Sequence, residues 1–171
     1  MEKLPIYFLI IILLIAVIFD IRSHRIPNWL TVSTLIIGII YHTWTKGFEG
    51  LFFSFTGLLV GIAVLIIPYL MGGMGAGDVK LMGAIGGLLG QKNVFIAFLV
   101  SAIIGGLYAF ILLALNGHIK ETLQRYGTIL KAFLLTQKFI YVSPSSQEKK
   151  PRLCYGVAIA LGTIISIAFF N

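Results

Sequence analysis

Apolar runs recur along the chain and are separated by short polar or charged segments. A helix rises 1.5 Å per residue, so roughly 20 apolar residues cross a hydrocarbon core of about 30 Å. Five runs are this long or nearly so, whereas one covers only roughly 16 Å and needs flanking residues or a thinner membrane. The runs are Leu4–Phe19, Trp29–Trp44, Leu51–Leu70, the short Val79–Leu89, Val94–Leu115 and Tyr155–Phe170. This pattern predicts an all-α integral membrane protein with about six transmembrane helices.

The composition supports a membrane protein rather than a soluble one. Of the 171 residues, 58% are hydrophobic and only 11% are charged, against roughly 25% charged residues in soluble domains. The net charge of +7 is spread over short loops, which favours a topology signal over nucleic-acid binding. Cys154 is the only cysteine, so there is no internal disulfide and no Cys-x-x-Cys site. We expect one polytopic domain over residues 1–171, with the lipid bilayer as partner and no nucleic acid.

Basic residues fall mostly on alternate loops of the predicted six-helix arrangement. Ten of the 13 lie in the first, third and fifth loops, and the opposite side holds only Lys3, Lys46 and Lys92. The ten are Arg22, Arg25, Lys80, Lys120, Arg125, Lys131, Lys138, Lys149, Lys150 and Arg152. Because basic residues concentrate in cytoplasmic loops, the sequence predicts a plasma-membrane protein with these loops in the cytoplasm and both termini outside. The assignment depends on the count of six helices.

The long fifth loop, Asn116–Cys154, contains apolar residues at helical spacing. They are Ile119, Leu123, Tyr126, Leu130, Phe133 and Leu134. Polar and basic residues point elsewhere, so the pattern predicts an amphipathic helix lying on the cytoplasmic leaflet. A plain membrane anchor is favoured for this helix over a lid or a substrate-docking element.

Glycine is concentrated around the fourth apolar run. Eight of the nineteen residues from Gly72 to Gly90 are glycine. Within the run, Gly83 and Gly87 form one four-residue step, and Gly86 and Gly90 form another. Such steps let helix backbones approach closely in lipid, so we expect this helix to pack tightly against its neighbours.

Asp20 and Asp78 are the only aspartates, and both stand at predicted helix ends on the same side of the membrane. Carboxylates at the hydrocarbon boundary are costly unless paired, hydrated or neutralised, which makes both candidates for function. Plainer alternatives exist: Asp20 could be an interface residue beside Arg22, and Asp78 could be a helix N-terminal cap. The glycine-rich residues 72–77 weaken the cap alternative, because they suit the close approach of an extended peptide.

Two aspartates are sufficient for peptide hydrolysis. The ionised carboxylate takes a proton from water, and the protonated one donates to the carbonyl oxygen or the leaving nitrogen. Two neighbouring carboxylates in a low-dielectric site share a proton and titrate as a unit. Neither metal nor cofactor is required, and His-Glu-x-x-His and Gly-x-Ser-x-Gly motifs do not occur. His24 could share a metal with Asp20, but Pro27 and the flanking arginines favour a solvated loop, so no metal site is predicted.

Two segments resemble the type IV prepilin peptidases. They are Asp20-Ile-Arg-Ser-His-Arg-Ile-Pro-Asn28 after the first helix and Gly75-Ala-Gly-Asp-Val-Lys80 before the glycine-rich helix. The closing segment Tyr155–Gly162 is similar to the end of that family. The resemblance implies that Asp20 and Asp78 form the catalytic dyad of a membrane aspartic endopeptidase.

The same resemblance assigns roles to residues around the dyad. Gly75 and Gly77 take the loop role, and Lys80 matches a lysine that could bind substrate, contact lipid headgroups or tune the dyad. Pro27 is expected to begin the second helix, where its missing N–H costs nothing. Asn28 is expected to be a polar support of the site.

The family's substrates are prepilins, pseudopilins or archaeal preflagellins, cut at the cytoplasmic face between a short basic leader and an apolar helix. The predicted topology puts the dyad on that side. Long members add an N-terminal domain, often with zinc motifs, and methylate the new N-terminus. This chain resembles the short peptidases of tight-adherence pilus systems or archaeal preflagellin enzymes, so neither a zinc domain nor methylation is expected.

Two other classes remain as alternatives. Presenilin and signal-peptide-peptidase proteins share Gly-x-Gly-Asp, but their Tyr-Asp and Pro-Ala-Leu partner motifs do not occur in this sequence. A small proton-coupled transporter could also use membrane carboxylates and glycine-broken segments, although the six predicted helices contain no inverted repeat.

Overall fold

The computed structural model describes residues 3–115 and 154–170, which are helical apart from short connections. The helices are α1 (Lys3–Ser23), α2 (Asn28–Leu70), α3 (Ala76–Leu115) and α4 (Tyr155–Phe170). All six predicted apolar runs lie within these helices, and the described residues contain no strand. The all-helical expectation is therefore confirmed for this part of the chain. The amphipathic helix predicted in the fifth loop lies outside the described residues.

Three helices, α1, α2 and α3, are long and apolar enough to cross a membrane, and α4 is a shorter apolar helix. Both the packed face and the outer face of α1 are apolar. Leu9 and Leu13 are fully buried, whereas Ile11 and Leu14 are each 56% exposed. Large aliphatic side chains on both faces are typical of a helix that packs on one side and meets lipid on the other.

Helix α2 folds back on itself at Gly47. This residue has φ 59° and ψ −135°, outside the helical region and accessible chiefly to glycine. Beyond the bend, the Ser54 hydroxyl donates to the Gly38 carbonyl oxygen at 3.4 Å, across 16 residues. A straight helix would separate these positions by about 24 Å. The two apolar runs within α2 therefore form an antiparallel pair.

Helix α3 changes direction at Gly90, where φ is 78° and ψ is 172°. Gly105, later in α3, lies against the Tyr155 ring at the start of α4, where an added Cβ would come within 2.6 Å of that ring. Asp78, at the start of α3, lines a cavity together with Asp20, and Asp20 is hydrogen-bonded to Gly156 at the same end of α4. A straight helix would hold these α3 positions about 40 Å apart, so the chain reverses at Gly90.

A buried histidine of α2 forms a hydrogen bond with the backbone next to the break at Gly90. His42 Nε2 lies 2.9 Å from the Leu88 carbonyl oxygen, and the ring nitrogen must be the donor because a carbonyl only accepts. The Phe53 ring packs against both His42 and the position of Gly90. A carbonyl that loses its helical partner near the break is thus satisfied from the neighbouring helix.

The first half of α3 is the most buried segment of the described chain: residues 81–90 are all buried. Its glycines touch the second half of α2 backbone to backbone. A Cβ on Gly86 would collide with the Gly57 carbonyl, and one on Gly61 would collide with the Met82 carbonyl. The predicted close packing of this glycine-rich helix is confirmed, and the short apolar run is surrounded by other helices of the protein.

This packing makes a direct prediction for Gly86. Its replacement by alanine forces a methyl group into the Gly57 carbonyl, and overpacking of this kind costs about 1–3 kcal/mol of the free energy of unfolding. We expect Gly86→Ala to lower the midpoint of thermal unfolding in detergent. Gly106→Ala is the matched control within α3, because a Cβ there meets no atom within 4 Å. Equal midpoints for the two variants would contradict the packing.

Candidate active site

Asp78 lies in the first turn of α3 and forms hydrogen bonds that cap this end of the helix. The Gly75 N–H donates to Asp78 Oδ2 at 3.1 Å, and the Asp78 N–H donates back to the Gly75 carbonyl at 3.1 Å. This arrangement is the side-chain half of a capping box, with the acidic group at the third helical position. Asp78 thus caps the N-terminus of α3 from inside its first turn, and not as a residue that precedes the helix. This cap engages one carboxylate oxygen, so it is compatible with a chemical role for Asp78.

Asp20 lies in the last turn of α1 and is only 5% exposed. Its Oδ2 accepts a hydrogen bond of 2.8 Å from the Gly156 N–H, in the first turn of α4. The first N–H groups of a helix have no intrahelical partner and carry partial positive charge, so they favour a carboxylate. Both aspartate side chains thus accept from backbone N–H groups at helix N-termini.

Gly156 is required for this contact, because a Cβ there would lie 2.8 Å from Asp20 Oδ2 and 3.1 Å from Asp20 Cγ. The sequence did not assign Gly156 to the site. The available signal was its position at the start of the last apolar run, within the segment that resembles the end of the prepilin peptidases. No local pattern links it to Asp20, which is 136 residues earlier.

A cavity of about 470 Å³ opens between the segment after α1 and the start of α3. All seven residues that the sequence predicted for the site line it: Asp20, Asp78, Gly75, Gly77, Lys80, Pro27 and Asn28. His24, Arg25, Ile26 and Ala76 complete the lining. The two motifs, which are separated by the whole of α2, are therefore brought to one opening.

Direct contacts join the two motifs. Lys80 Nζ donates to Asn28 Oδ1 at 2.9 Å, so Lys80 is tied to the first motif. Gly77 packs against Ile26, where an added Cβ would come within 3.2 Å of the Ile26 Cβ. Gly75 is less constrained, since a Cβ there makes only ordinary contact, 3.4 Å from Asp78 Oδ2.

Pro27 was expected to be the first residue of the second helix, but it lies one position before it. Helix α2 begins at Asn28, and Pro27 precedes it as the capping residue with an extended backbone (φ −63°, ψ 139°). Its carbonyl accepts from the Leu30 and Thr31 N–H groups. Pro27 thus stands outside the first helical turn because its ψ angle is extended, although its φ angle is compatible with a helix.

His24 and Cys154 add two metal-ligating side chains beside Asp20. His24 is the one described non-glycine residue with positive φ (50°), and its N–H caps α1 by donating to the Asp20 carbonyl at 2.8 Å. Cys154 Sγ lies 3.3 Å from His24 Nδ1. Burial raises the pKa of the Cys154 thiol, and the charges of Asp20 and Asp78 raise it further. The ligand atoms of Asp20, His24 and Cys154 all lie within 4.8 Å of one another.

The geometry defines a class of protein: a helical membrane protein with two buried aspartates at one opening. Residues 7–110 match the model of the type IV leader peptidase family. The chain therefore belongs to that family. The matched range includes both aspartates and both motif loops, but it ends before Cys154 and Gly156.

Curated relatives carry peptidase names. The chain is 27% identical over 133 residues to the prepilin peptidase EppA of Methanocaldococcus jannaschii, covering 77% of this chain and 36% of that protein. It is 34% identical over 111 residues to the prepilin leader peptidase/N-methyltransferase of Bacillus subtilis, covering 63% of this chain and 44% of that protein. With the preflagellin peptidase of M. jannaschii, the identity is 34% over 104 residues, 56% of this chain and 42% of that protein.

The chain thus spans less than half the length of the curated relatives it matches. No solved structure matches it significantly.

The contact between Gly156 and Asp20 leads to a second prediction. Gly156→Ala places a methyl group against the Asp20 carboxylate and breaks the 2.8 Å hydrogen bond, which contributes about 1.5–3 kcal/mol when the acceptor is charged. We expect a clear fall in the thermal unfolding midpoint. Gly75→Ala also adds a methyl group beside an aspartate, but at ordinary contact distance, so its midpoint should fall less. The opposite order would argue against the Asp20 contact.

Proposed function

We propose that this protein is a membrane aspartic endopeptidase that removes the short basic leader from prepilin-like precursors at the cytoplasmic face of the membrane. The observation that carries the proposal is the convergence of Asp20 and Asp78 on one cavity, although they lie on different helices. Membership of the type IV leader peptidase family supports it. Membership of this family also favours the proposed function over that of a presenilin-type protease or a proton-coupled transporter.

In the proposed reaction, the two aspartates divide the work of a general base and a general acid. The ionised carboxylate removes a proton from a water molecule, and that water attacks the scissile carbonyl carbon. The protonated carboxylate donates to the carbonyl oxygen, and the leaving nitrogen is protonated as the tetrahedral intermediate collapses. The N–H groups of Gly75 and Gly156 would hold the two carboxylates in place during these transfers.

The shape of the cavity suits a peptide. Its volume of about 470 Å³ is within the range of about 300–1,000 Å³ that is usual for binding clefts. Gly75 is exposed on its rim, so an extended substrate can approach the main chain there, whereas Gly77 is half-buried against Ile26. Lys80, held by Asn28, positions the second motif relative to the first. The acidic dyad also favours a substrate with a basic leader.

The two reversals support a proposed membrane arrangement with six spans. If α1 and α4 each cross once and the folded helices α2 and α3 each cross twice, the chain has six spans. The connection after α1 and the one between α2 and α3 then lie on one side, where the dyad is. The positive-inside bias makes this side cytoplasmic, with both termini outside and the amphipathic segment of the fifth loop on the inner leaflet.

The proposal concerns peptide hydrolysis alone. The names of the relatives in B. subtilis and Legionella pneumophila add an N-methyltransferase to the prepilin leader peptidase. We propose a peptidase domain without methyltransferase activity, on the ground of its resemblance to the short peptidases.

The dyad is tested by isosteric substitution. Asp20→Asn and Asp78→Asn remove the acid–base function, which contributes about 10²–10⁴-fold to rate, but an amide oxygen can still accept the N–H of Gly156 or Gly75. We expect each variant to lose at least about 100-fold in cleavage of a reconstituted prepilin with a basic leader, followed by gel shift.

Glu49→Gln is the matched control for these variants. It makes the same carboxylate-to-amide change in α2 just after the Gly47 bend, outside the cavity lining. We expect it to cleave at the wild-type rate. Full cleavage by Asp20→Asn and Asp78→Asn, with correct folding by gel filtration, would show that the dyad assignment is wrong.

The proposed topology is tested by cysteine labelling. In a Cys154→Ser background, a cysteine replacing Glu49 should react with a membrane-impermeant maleimide from outside intact cells. A cysteine replacing Lys138 should react only in inverted vesicles, because the proposal places the fifth loop in the cytoplasm. Labelling of both positions from the same side would overturn the six-span arrangement.

A further inference from the structure

Three different metal-ligating side chains meet beside the proposed dyad. Asp20 and His24 come from the end of α1, and Cys154 immediately precedes α4. Their ligand atoms lie within 4.8 Å of one another. No part of the proposed hydrolysis uses His24 or Cys154. Carboxylate, imidazole and thiol form a mixed set that suits a borderline-soft divalent cation such as Zn²⁺ and excludes a preference for Mg²⁺ or Ca²⁺.

The separations are close to those of a tetrahedral site. With Zn–S near 2.3 Å and Zn–N near 2.0–2.1 Å, tetrahedral angles put sulfur and nitrogen about 3.6 Å apart. The distance between Cys154 Sγ and His24 Nδ1 is 3.3 Å. The widest separation in the set, 4.8 Å at most, closes to a tetrahedral value by a movement of roughly 1 Å. Side-chain torsions alone provide a movement of this size.

The backbone around the set holds the ligands in place. His24 has a left-handed backbone (φ 50°), a conformation that is costly for residues with a side chain. Its N–H is bonded to the carbonyl of Asp20, the residue with which it shares the cluster. The Gly156 N–H donates to Asp20 Oδ2, and the Val157 N–H is a further backbone donor to this carboxylate. These donors keep the carboxylate oriented, as outer hydrogen bonds commonly do at metal sites, while its remaining lone pairs can bind a cation.

Access from solvent is provided by the cavity. His24 is exposed on its lining and Cys154 is half-buried. Three protein ligands leave the fourth position of a tetrahedral ion to water. The site lies at the proposed cytoplasmic face, where thiols remain reduced.

From these contacts we infer that Asp20, His24 and Cys154 bind Zn²⁺, and that the bound ion inhibits the peptidase by engaging Asp20. Binding forms a Zn–S bond at Cys154 and releases the thiol proton to solvent. The same ion takes an Asp20 oxygen as a ligand, so that oxygen can no longer accept a proton from water. The inhibition rests on the proposed function, whereas metal binding does not.

Binding is tested on the full chain in detergent with Co²⁺ as a spectroscopic substitute for Zn²⁺. We expect a near-ultraviolet charge-transfer band from thiolate to cobalt at one equivalent of Co²⁺, lost when Zn²⁺ is added. Cys154→Ser should abolish the band, and His24→Ala should weaken Zn²⁺ binding by about 100-fold or more. Glu49→Gln, a carboxylate outside the cluster, should bind like wild type. A missing band, or one that persists in Cys154→Ser, would overturn the site.

Inhibition is tested by measuring prepilin cleavage with and without Zn²⁺, each variant being compared with its own metal-free rate. Saturating Zn²⁺ should slow the wild-type protein by about 100-fold or more, and a chelator should restore the rate. Cys154→Ser should resist Zn²⁺ concentrations that inhibit the wild type. Cobalt binding without any effect of Zn²⁺ on cleavage would overturn the inhibitory role.

The two proposals fail in different experiments. If Asp20→Asn cleaves normally, the dyad is wrong, but the cobalt band still reports on the metal site. If the cobalt band is absent and Asp20→Asn is inactive, the metal site is wrong and the dyad stands.

Discussion

The hydrogen bond from the Gly156 N–H to Asp20 Oδ2 joins the end of α1 to the start of α4, across 136 residues. The site depends on this contact because it fixes Asp20 and places Cys154 beside His24 at the same time. The contact is possible only because Gly156 has no side chain. One missing methyl group thus allows a buried carboxylate to meet the positively polarised end of a helix, which stabilises it.

Asp78 is held by different means and shows that a cap and a candidate catalytic group can be the same residue. Its side chain returns to the Gly75 N–H within its own first turn, so its position depends on local structure. The helix that carries it is buried from residue 81 to 90 and packs backbone to backbone at Gly57 and Gly86. The Asp78 side chain is held by a contact within its own helix turn, whereas Asp20 depends on the contact with α4. The position of Asp78 in the proposed dyad therefore depends on local structure, and that of Asp20 depends on a long-range contact.

The sequence located the helices well because length and hydropathy are local properties, and all six apolar runs lie within helices. It predicted short loops at residues 45–50 and 90–93, and the reversals at Gly47 and Gly90 fall within them, but it did not show which residue of each loop leaves the helical conformation. It also gave Cys154 and Gly156 no part in the site. Which faces of the helices pack together could not be predicted either: in α1, buried Leu13 and exposed Leu14 are the same residue type.

The sequence by itself determined the class of protein, the helical runs and seven of the eleven residues that line the opening, the two aspartates among them. These features follow from composition, from spacing along one segment and from motifs. All three are properties of neighbouring residues in the sequence. Only the tertiary structure decided that Asp20 bonds to Gly156, that Lys80 bonds to Asn28 and that His24 meets Cys154. In lipid both faces of a helix are apolar, so the chain carries no polarity pattern that specifies these long-range pairings. The pairing of Asp20 with Gly156 additionally requires that residue 156 has no side chain.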